Sequence, residues 1–336
     1  TTASALGSIV NRASGGMILN CRNTSKVEGA STVGGICGEV YQSSYYIDFR
    51  LENCWNSGDV TGSVIVGGVV GESTGGTIRS CCNTGNVNAT SVNCGGVGST
   101  MSSNTVVEAV CNFGTVKALH DYVGGLLLSG KKLSQSYNAG VLVAEGNAGS
   151  IMKSGSESDA VNCYYDSDKN TWKGIGDADF AGSSMPLTTM EWCSGRLPVG
   201  FSADYWAVRE SQIVDGYKLY YYPYLKNIGE ESAQVGFKRK VYSLKLHANG
   251  GSYGDDITFY VENEGVSLPS EVVRTGYEFQ GWYSNSNFTS EIITSISGSE
   301  KGDKDMYAKW IASVYTISLQ TKGGTINSGR ITSYTY

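Results

Sequence analysis

Apolar residues along this chain come in ones and twos, set among glycine and small polar residues, with no sustained helical period. What recurs is a longer unit. "MILNCRNTSKV" (17–27), "RLENCWNSGDV" (50–60), "TIRSCCNTGNV" (77–87), "VVEAVCNFGTV" (106–116), "KLSQSYNAGVL" (132–142) and a degraded "DAVNCYYDSDK" (159–169) lie on top of one another. The first five share an asparagine, at Asn23, Asn56, Asn83, Asn112 and Asn138, spaced by 33, 27, 29 and 26 residues. Between them sits a second element, "VGGICG" (33–38), "VGGVVG" (66–71), "CGGVGS" (94–99) and "VGGLLL" (123–128), with weaker copies at "LGSIV" (6–10) and "AGSIM" (148–152). Such a period without helical patterning predicts a parallel β-helix, or β-solenoid, of about six coils over residues 1–170. One unit cannot bury its own apolar face, but coils stacked about 4.8 Å apart share a continuous core. Gly and Asn are expected to supply left-handed backbone at the corners. The offset run Cys94–Gly98 predicts a distorted coil there.

The alignment assigns the cysteines. Cys21, Cys54, Cys81 and Cys163 share one slot, which Val110 and Ser136 fill in the other coils. A slot open to Cys, Val or Ser reads as a small buried site where cysteine acts as a small hydrophobe. Disulfides between stacked slots are the rival, since the coil spacing falls within the Cα range of a bridge. In-register parallel side chains point the same way, however, and the nine cysteines are odd in number. Four residues before each asparagine stand Leu19, Glu52, Arg79, Glu108 and Ser134, which predicts an outward Glu52–Arg79–Glu108 ladder.

Composition supports a mostly β chain. The 336 residues include 45 Gly and 22 Tyr but 4 Pro, with 40% hydrophobic and 17% charged residues. A net charge of −6 and the lack of a basic stripe exclude nucleic acid as a partner. No run of 18 apolar residues predicts a membrane span, and the first residues do not read as a signal peptide. Because the chain opens inside one repeat and closes inside another, it reads as a piece of a longer protein.

The Gly-Gly-aliphatic element followed by "NCxNTGxV" resembles the GLUG-motif repeats of bacterial surface and secreted proteins, over residues 1 to about 225. The resemblance implies no catalysis in the repeats. Their relatives are adhesin-like proteins and segments upstream of some immunoglobulin-A-cleaving metalloproteases. Residues 171–230 are expected to cap the open solenoid end. Tyr220, Tyr221, Tyr222 and Tyr224 serve that packing, or form a glycan-stacking platform. Residues 231–240 close a polar stretch that reads as a linker.

In 241–311 the elements Asn249-Gly250-Gly251, Leu268-Pro269, Arg274-x-Gly276-Tyr277-x-Phe279-x-Gly281-Trp282-Tyr283 and Met306–Trp310 resemble the Listeria–Bacteroides repeat, the B-repeat of internalin-type proteins. That implies a small β-grasp-like module of bacterial cell surfaces. Its aromatics Tyr277, Phe279, Trp282, Tyr307 and Trp310 are expected in the core, and "NGGSYGDD" reads as a hairpin turn. Residues 312–336 begin the same pattern again, "VYTISLQTKGG" matching "VYSLKLHANGG", and are expected to pack poorly or pair with a neighbour's edge.

Candidate chemistry is thin. H-E-x-x-H, G-x-S-x-G and P-loop patterns are absent, and the two histidines, His120 beside Asp121 and His247, lack a nucleophile nearby. Apart from the Glu52–Glu108 column, split by Arg79 and so a poor acid–base pair, the carboxylates do not cluster by coil position as a glycosidase needs. The C-x-x-C spacing of a metal site is missing too. "DSDKNTWKGIGD" (166–177) sets Asp166, Asp168, Asn170 and Asp177 at calcium-loop positions 1, 3, 5 and 12, but Thr171 stands where glycine is needed. A polar surface loop is the better reading, and no cofactor or metal is expected. The expected function is therefore a non-enzymatic, extracellular piece of a bacterial surface protein. It would bind a host protein or glycan and be tied to the cell wall through its parent. The alternative is an accessory carbohydrate-binding module of a larger secreted enzyme.

Overall fold

The computed structural model describes residues 4–42, 48–120, 122–254, 256–325, 329 and 332–335. It forms two compact units, residues 1–211 with 220–237, and 212–219 with 238–336.

The first unit is a parallel β-solenoid. Strands Ala5–Gly7, Thr32–Gly34, Ile65–Gly67, Cys94–Gly95, Val123–Gly124 and Ala148–Gly149 stack in one sheet, and Val10–Ala13 to Met152–Ser154 in a second. A third runs from Val27–Glu28 to Leu142–Val143, and the longest from Met17–Leu19 to Ser184–Leu187. Register follows the repeat, with Asn23, Asn56, Asn83, Asn112 and Asn138 in one row and Tyr165 in the degraded sixth position. Cys94 sits in register with Val66 and Val123, so that coil is regular rather than distorted. Met101 fills the space beside Gly98, where a Cβ would meet its Cε at 2.4 Å.

The recurring glycines act differently from expectation. Left-handed backbone falls on Asn20, Asn53, Ser80, Ala109, Gln135 and Asn162, the column just before the cysteine slot, with φ between 48 and 57°. The paired glycines are instead required by close stacking. A Cβ on Gly68 would stand 2.1 Å from the Gly96 carbonyl oxygen and 2.4 Å from Asn83 Cγ. Gly35, Gly96 and Gly125 meet Asn56, Asn112 and Asn138 in the same way. The two sequence elements are thus halves of one joint, in which each asparagine amide packs where a glycine leaves room.

Those amides form a ladder through the interior. Asn23 Nδ2 donates to Asn56 Oδ1 at 2.8 Å, Asn56 to Asn83 at 2.8 Å, Asn83 to Asn112 at 2.8 Å and Asn112 to Asn138 at 2.9 Å. Each amide also donates to a carbonyl two residues on, such as Gly58 at 2.7 Å and Gly85 at 2.8 Å. Both amide hydrogens of Asn23, Asn56, Asn83 and Asn112 are therefore used without water, as a buried polar group requires.

All nine cysteines are free, and only Cys21 is not buried. Adjacent Cys81 and Cys82 face opposite ways, as neighbours on a strand must. Cys81 joins the interior core with Ile78 and Val110, while Cys82 joins an outer aromatic cluster. The slot thiols donate to the carbonyl two residues back, Cys54 to Glu52 at 3.3 Å and Cys81 to Arg79 at 3.1 Å, and Ser136 does the same at 2.6 Å. Burial pushes the Cys163 thiol up to about 12.

Strand Ser184–Leu187 extends the long sheet as an end cap would, but residues 188–211 and 220–237 do something else. They lie along the outer face of that sheet. Trp192, Phe201, Trp206, Tyr222 and Leu225 cover the outward column Trp55, Cys82, Cys111, Tyr137 and Tyr164. Tyr137 Oη donates to the Pro223 carbonyl at 2.5 Å, Tyr164 Oη to Val199 at 2.8 Å and Trp206 Nε1 to the Gln135 carbonyl at 3.0 Å. The segment is a lateral strap, because the outward column is itself aromatic and needs cover.

On an open sheet, Arg12, Glu39 and Glu72 share a row. Burial, and then the Glu39 charge, raise the Glu72 pKa. A raised carboxyl favours the folded state when protonated and loses that contribution as pH rises. Glu72→Gln is therefore expected to raise the urea midpoint at pH 7 and to leave it unchanged below about pH 4, inside the ordinary carboxylate range.

The second unit is all β among its described residues. Leu244–His247 pairs in parallel with Lys304–Tyr307, and Tyr277–Tyr283 runs antiparallel to Lys304–Ala312 across an irregularity at Gly281. Trp282 lies in the core with Leu244, Tyr260, Leu268 and Met306, and Phe279 and Trp310 pack against it. Tyr277 and Tyr307 are only half-buried, under Arg274 and against His247. Asn249 and Gly250 make the left-handed turn, yet Ser252–Tyr253 then pairs with Val272–Val273 rather than back as a hairpin. The stretch 231–240, expected as a linker, is mostly ordered: Val235–His247 is one strand. Val314–Thr316 pairs with Ser333–Thr335 of its own segment.

Candidate functional site

The calcium-loop residues do not converge. Asp166 is fully buried, accepting from Thr189 Oγ1 at 2.7 Å, from the Tyr222 hydroxyl and from the Asp168 amide at 2.9 Å. Asp168 accepts from the Thr189 amide at 2.9 Å. Asn170 continues the asparagine ladder's work, donating to the Gly140 carbonyl at 2.9 Å, and Asp177 is exposed on a turn. Asp166 thus anchors the strap, with Lys169 Nζ 4.9 Å from the Tyr222 ring centre. Burial lowers the Lys169 pKa, against the pull of Asp166, and raises that of Tyr222. Among the described residues no group of three His, Cys, Asp or Glu side chains is placed to hold a metal ion.

The tyrosines do not form an open platform. Tyr221 and Tyr222 are buried, and Tyr220 stacks on Phe237 at 4.4 Å. His120 is exposed, and Asp121 lies outside the described residues. His247 Nε2 lies 2.6 Å from Asp305 Oδ1 and its ring stacks on Tyr307 at 4.5 Å.

The charge ladder is present. Arg79 Nη1 lies 3.4 Å from Glu52 Oε1, and Arg79 Nε 2.9 Å from Glu108 Oε2. Gln135 and the Tyr205 hydroxyl add to Glu108 at 3.3 and 3.4 Å, tying the ladder to the strap. Half-exposed pairs of this kind contribute about 0.2–1 kcal/mol each. Arg79→Ala is expected to lower the denaturant midpoint modestly in dilute buffer, and by less in high salt, where the attraction is screened.

The strap does not cover the first two coils fully. Where it ends, a shallow groove of about 260 Å³ opens between Asn20, Cys21, Arg22, Asn53 and Trp55 on the solenoid and Asn227, Ile228 and Glu231 on the returning chain. Its floor is ordered from below. Trp55 is buried and donates through Nε1 to Thr84 Oγ1 at 2.9 Å. Exposed Arg22 lays its guanidinium over the Trp55 ring at 3.9 Å, a cation–π contact. Asn53 Nδ2 donates to Asn20 Oδ1 at 3.1 Å, a second amide pair, here facing solvent. Sequence reading missed this groove because residues 227–231 reach it from far along the chain. The available signal was Trp55, a large aromatic in an outward slot near the end of its column.

Residues 242–309 match the Listeria-Bacteroides repeat domain. Two proteins of Evansella cellulosilytica are similar over part of the chain. A "Putative Gly-rich membrane protein" is 33% identical over 100 residues, covering 29% of this chain and 11% of that protein. A "Putative membrane protein" is 32% identical over 94 residues, covering 25% and 12%. The chain thus spans about a tenth of the length of these relatives. Among solved structures, a "putative immunoglobulin A1 protease" of Bacteroides ovatus superposes with a TM-score of 0.38 and 17% identity, over 67% of this chain and 61% of that one. No helix among the described residues is long and apolar enough to cross a membrane.

Proposed function

We propose that this chain is a non-catalytic, extracellular piece of a bacterial surface protein. In this reading the solenoid, of GLUG-motif type, is a stiff display scaffold and the Listeria–Bacteroides repeat a spacer toward the cell wall. The reading rests above all on the internal asparagine ladder. Side-chain amides bonded from coil to coil, each seated against a glycine, make the stack resist bending and hold its outer faces in fixed register. The presence of a cell-surface repeat module points the same way. The open groove at Trp55 is where such a scaffold would contact a ligand. Beads coated with the whole chain are expected to be retained on mucin-coated glass, with the mucin recovered intact by mass spectrometry. Release of mucin fragments would contradict a non-catalytic role, and absence of retention would contradict the adhesive one.

A further inference from the structure

We infer that the groove beside Trp55 takes an acidic saccharide, with Arg22 holding its carboxylate. This rests on the display reading and adds the ligand's chemical class. Arg22 has no ion-pair or hydrogen-bond partner among the described residues, while its guanidinium carbon lies 3.9 Å over the centre of the Trp55 ring. A guanidinium seated over an aromatic ring still has N–H donors for other partners, and its planar fork matches a carboxylate by two parallel bonds. Around it stand three side-chain amides, on Asn20, Asn53 and Asn227, and the Glu231 carboxylate, with Ile228 as apolar contact. Amides both donate and accept, so they suit a ring of hydroxyl groups, which do the same. The set is one fixed cation, several amides and one acceptor. It fits a hydroxyl-rich ligand carrying one negative charge. A polyanion fits badly, because a single arginine opposes a net charge of −6 on the whole chain. A purely apolar ligand would leave the Asn227 amide and the remaining donors and acceptors of the Asn20–Asn53 pair unused.

The test uses the whole chain and nuclear magnetic resonance. The Trp55 indole N–H and Arg22 Nε–H signals are followed during titration with 3′-sialyllactose, its methyl ester, lactose and triglutamate. Sialyllactose is expected to shift both signals. The methyl ester, which lacks the charge, and Arg22→Ala are each expected to weaken binding roughly tenfold, the scale of one charge-assisted contact. Arg22→Lys should recover part of the loss, since charge returns without the planar fork. Arg22 is exposed, so its variants leave the fold intact; an unchanged spectrum elsewhere confirms it. Equal shifts with lactose or the ester would overturn the acidic class and leave the groove as a neutral-sugar site. Shifts with triglutamate but not sialyllactose would overturn the saccharide assignment. No shift with any probe would overturn the groove's role, while bead retention would still report on the display reading.

Discussion

Asn83→Ala is expected to destabilise the solenoid by roughly 3–5 kcal/mol, as two or three buried polar partners lose their bonds at about 1–3 kcal/mol each. Asn83 lies fully buried at mid-ladder. It accepts from Asn56 at 2.8 Å and donates to Asn112 and the Gly85 carbonyl, each at 2.8 Å. Alanine leaves Asn112 Oδ1 and the Gly85 carbonyl without these donors, in a place water does not reach. Asn56 keeps its bond to Gly58, which limits the loss on that side. Coils stabilise one another through their neighbours, so the damage spreads along the stack instead of staying in one row. Asn88→Ala, one strand away and half-exposed, is the control and should cost under about 0.5 kcal/mol. A urea titration of the three chains decides the matter. Equal midpoints for the two variants would mean the ladder is decoration.

The second large effect concerns the strap. Trp206 is buried, stacks on Phe201 at 4.9 Å, lies 5.2 Å from Tyr137 and donates to the Gln135 carbonyl. Trp206→Ala is expected to cost about 3–5 kcal/mol, typical of a large aromatic removed from a core. Its signature is local. The native chain should react with a thiol reagent at Cys21 alone, the one cysteine not buried. In the variant, Cys82 and Cys111, which the strap covers, and Cys193, which the strap carries inward, should become reactive. Cys37, Cys54, Cys81, Cys94 and Cys163 should stay protected inside the coils. Reaction at all nine would show that strap and solenoid unfold as one body. An unchanged pattern would show that the strap does not depend on Trp206.

These two results bear on what was legible in the sequence. The coil, its register and the Glu52–Arg79–Glu108 column could be read directly, because each follows from one repeat stacked on the next. The inward slot of Cys54 and Cys81 was legible because Val110 and Ser136 replace them in other coils. The role of the paired glycines was not. Their need arises from Asn83 and its equivalents arriving across the coil interior, whereas sequence reasoning assigned left-handed corner backbone to Gly and Asn, which Asn20, Asn53 and Asn162 adopt and the paired glycines do not. The strap was also hidden. Residues 188–211 and 220–237 have no period, and only the three-dimensional alternation along Arg79–Asn83 shows that Cys82 faces out and needs covering. The run from Asp166 reads from sequence as a polar surface loop, yet Asp166 and Asn170 are buried, for a related reason. Asp166 and Asp168 are spent on Thr189 and Tyr222, residues farther along the chain. The groove at Trp55 combines both difficulties, since half its wall comes from the repeat and half from the strap's return.

The most direct test of the whole account is hydrogen–deuterium exchange at the side-chain amides of Asn56, Asn83 and Asn112, followed by nuclear magnetic resonance. If the ladder is the solenoid's internal spine, these Nδ2 hydrogens exchange only through unfolding, as slowly as the most protected backbone amides of the same coils. Exchange as fast as that of the solvent-facing Asn53 amide would mean that water reaches the ladder, and the stiff, dry stack argued for here would be contradicted.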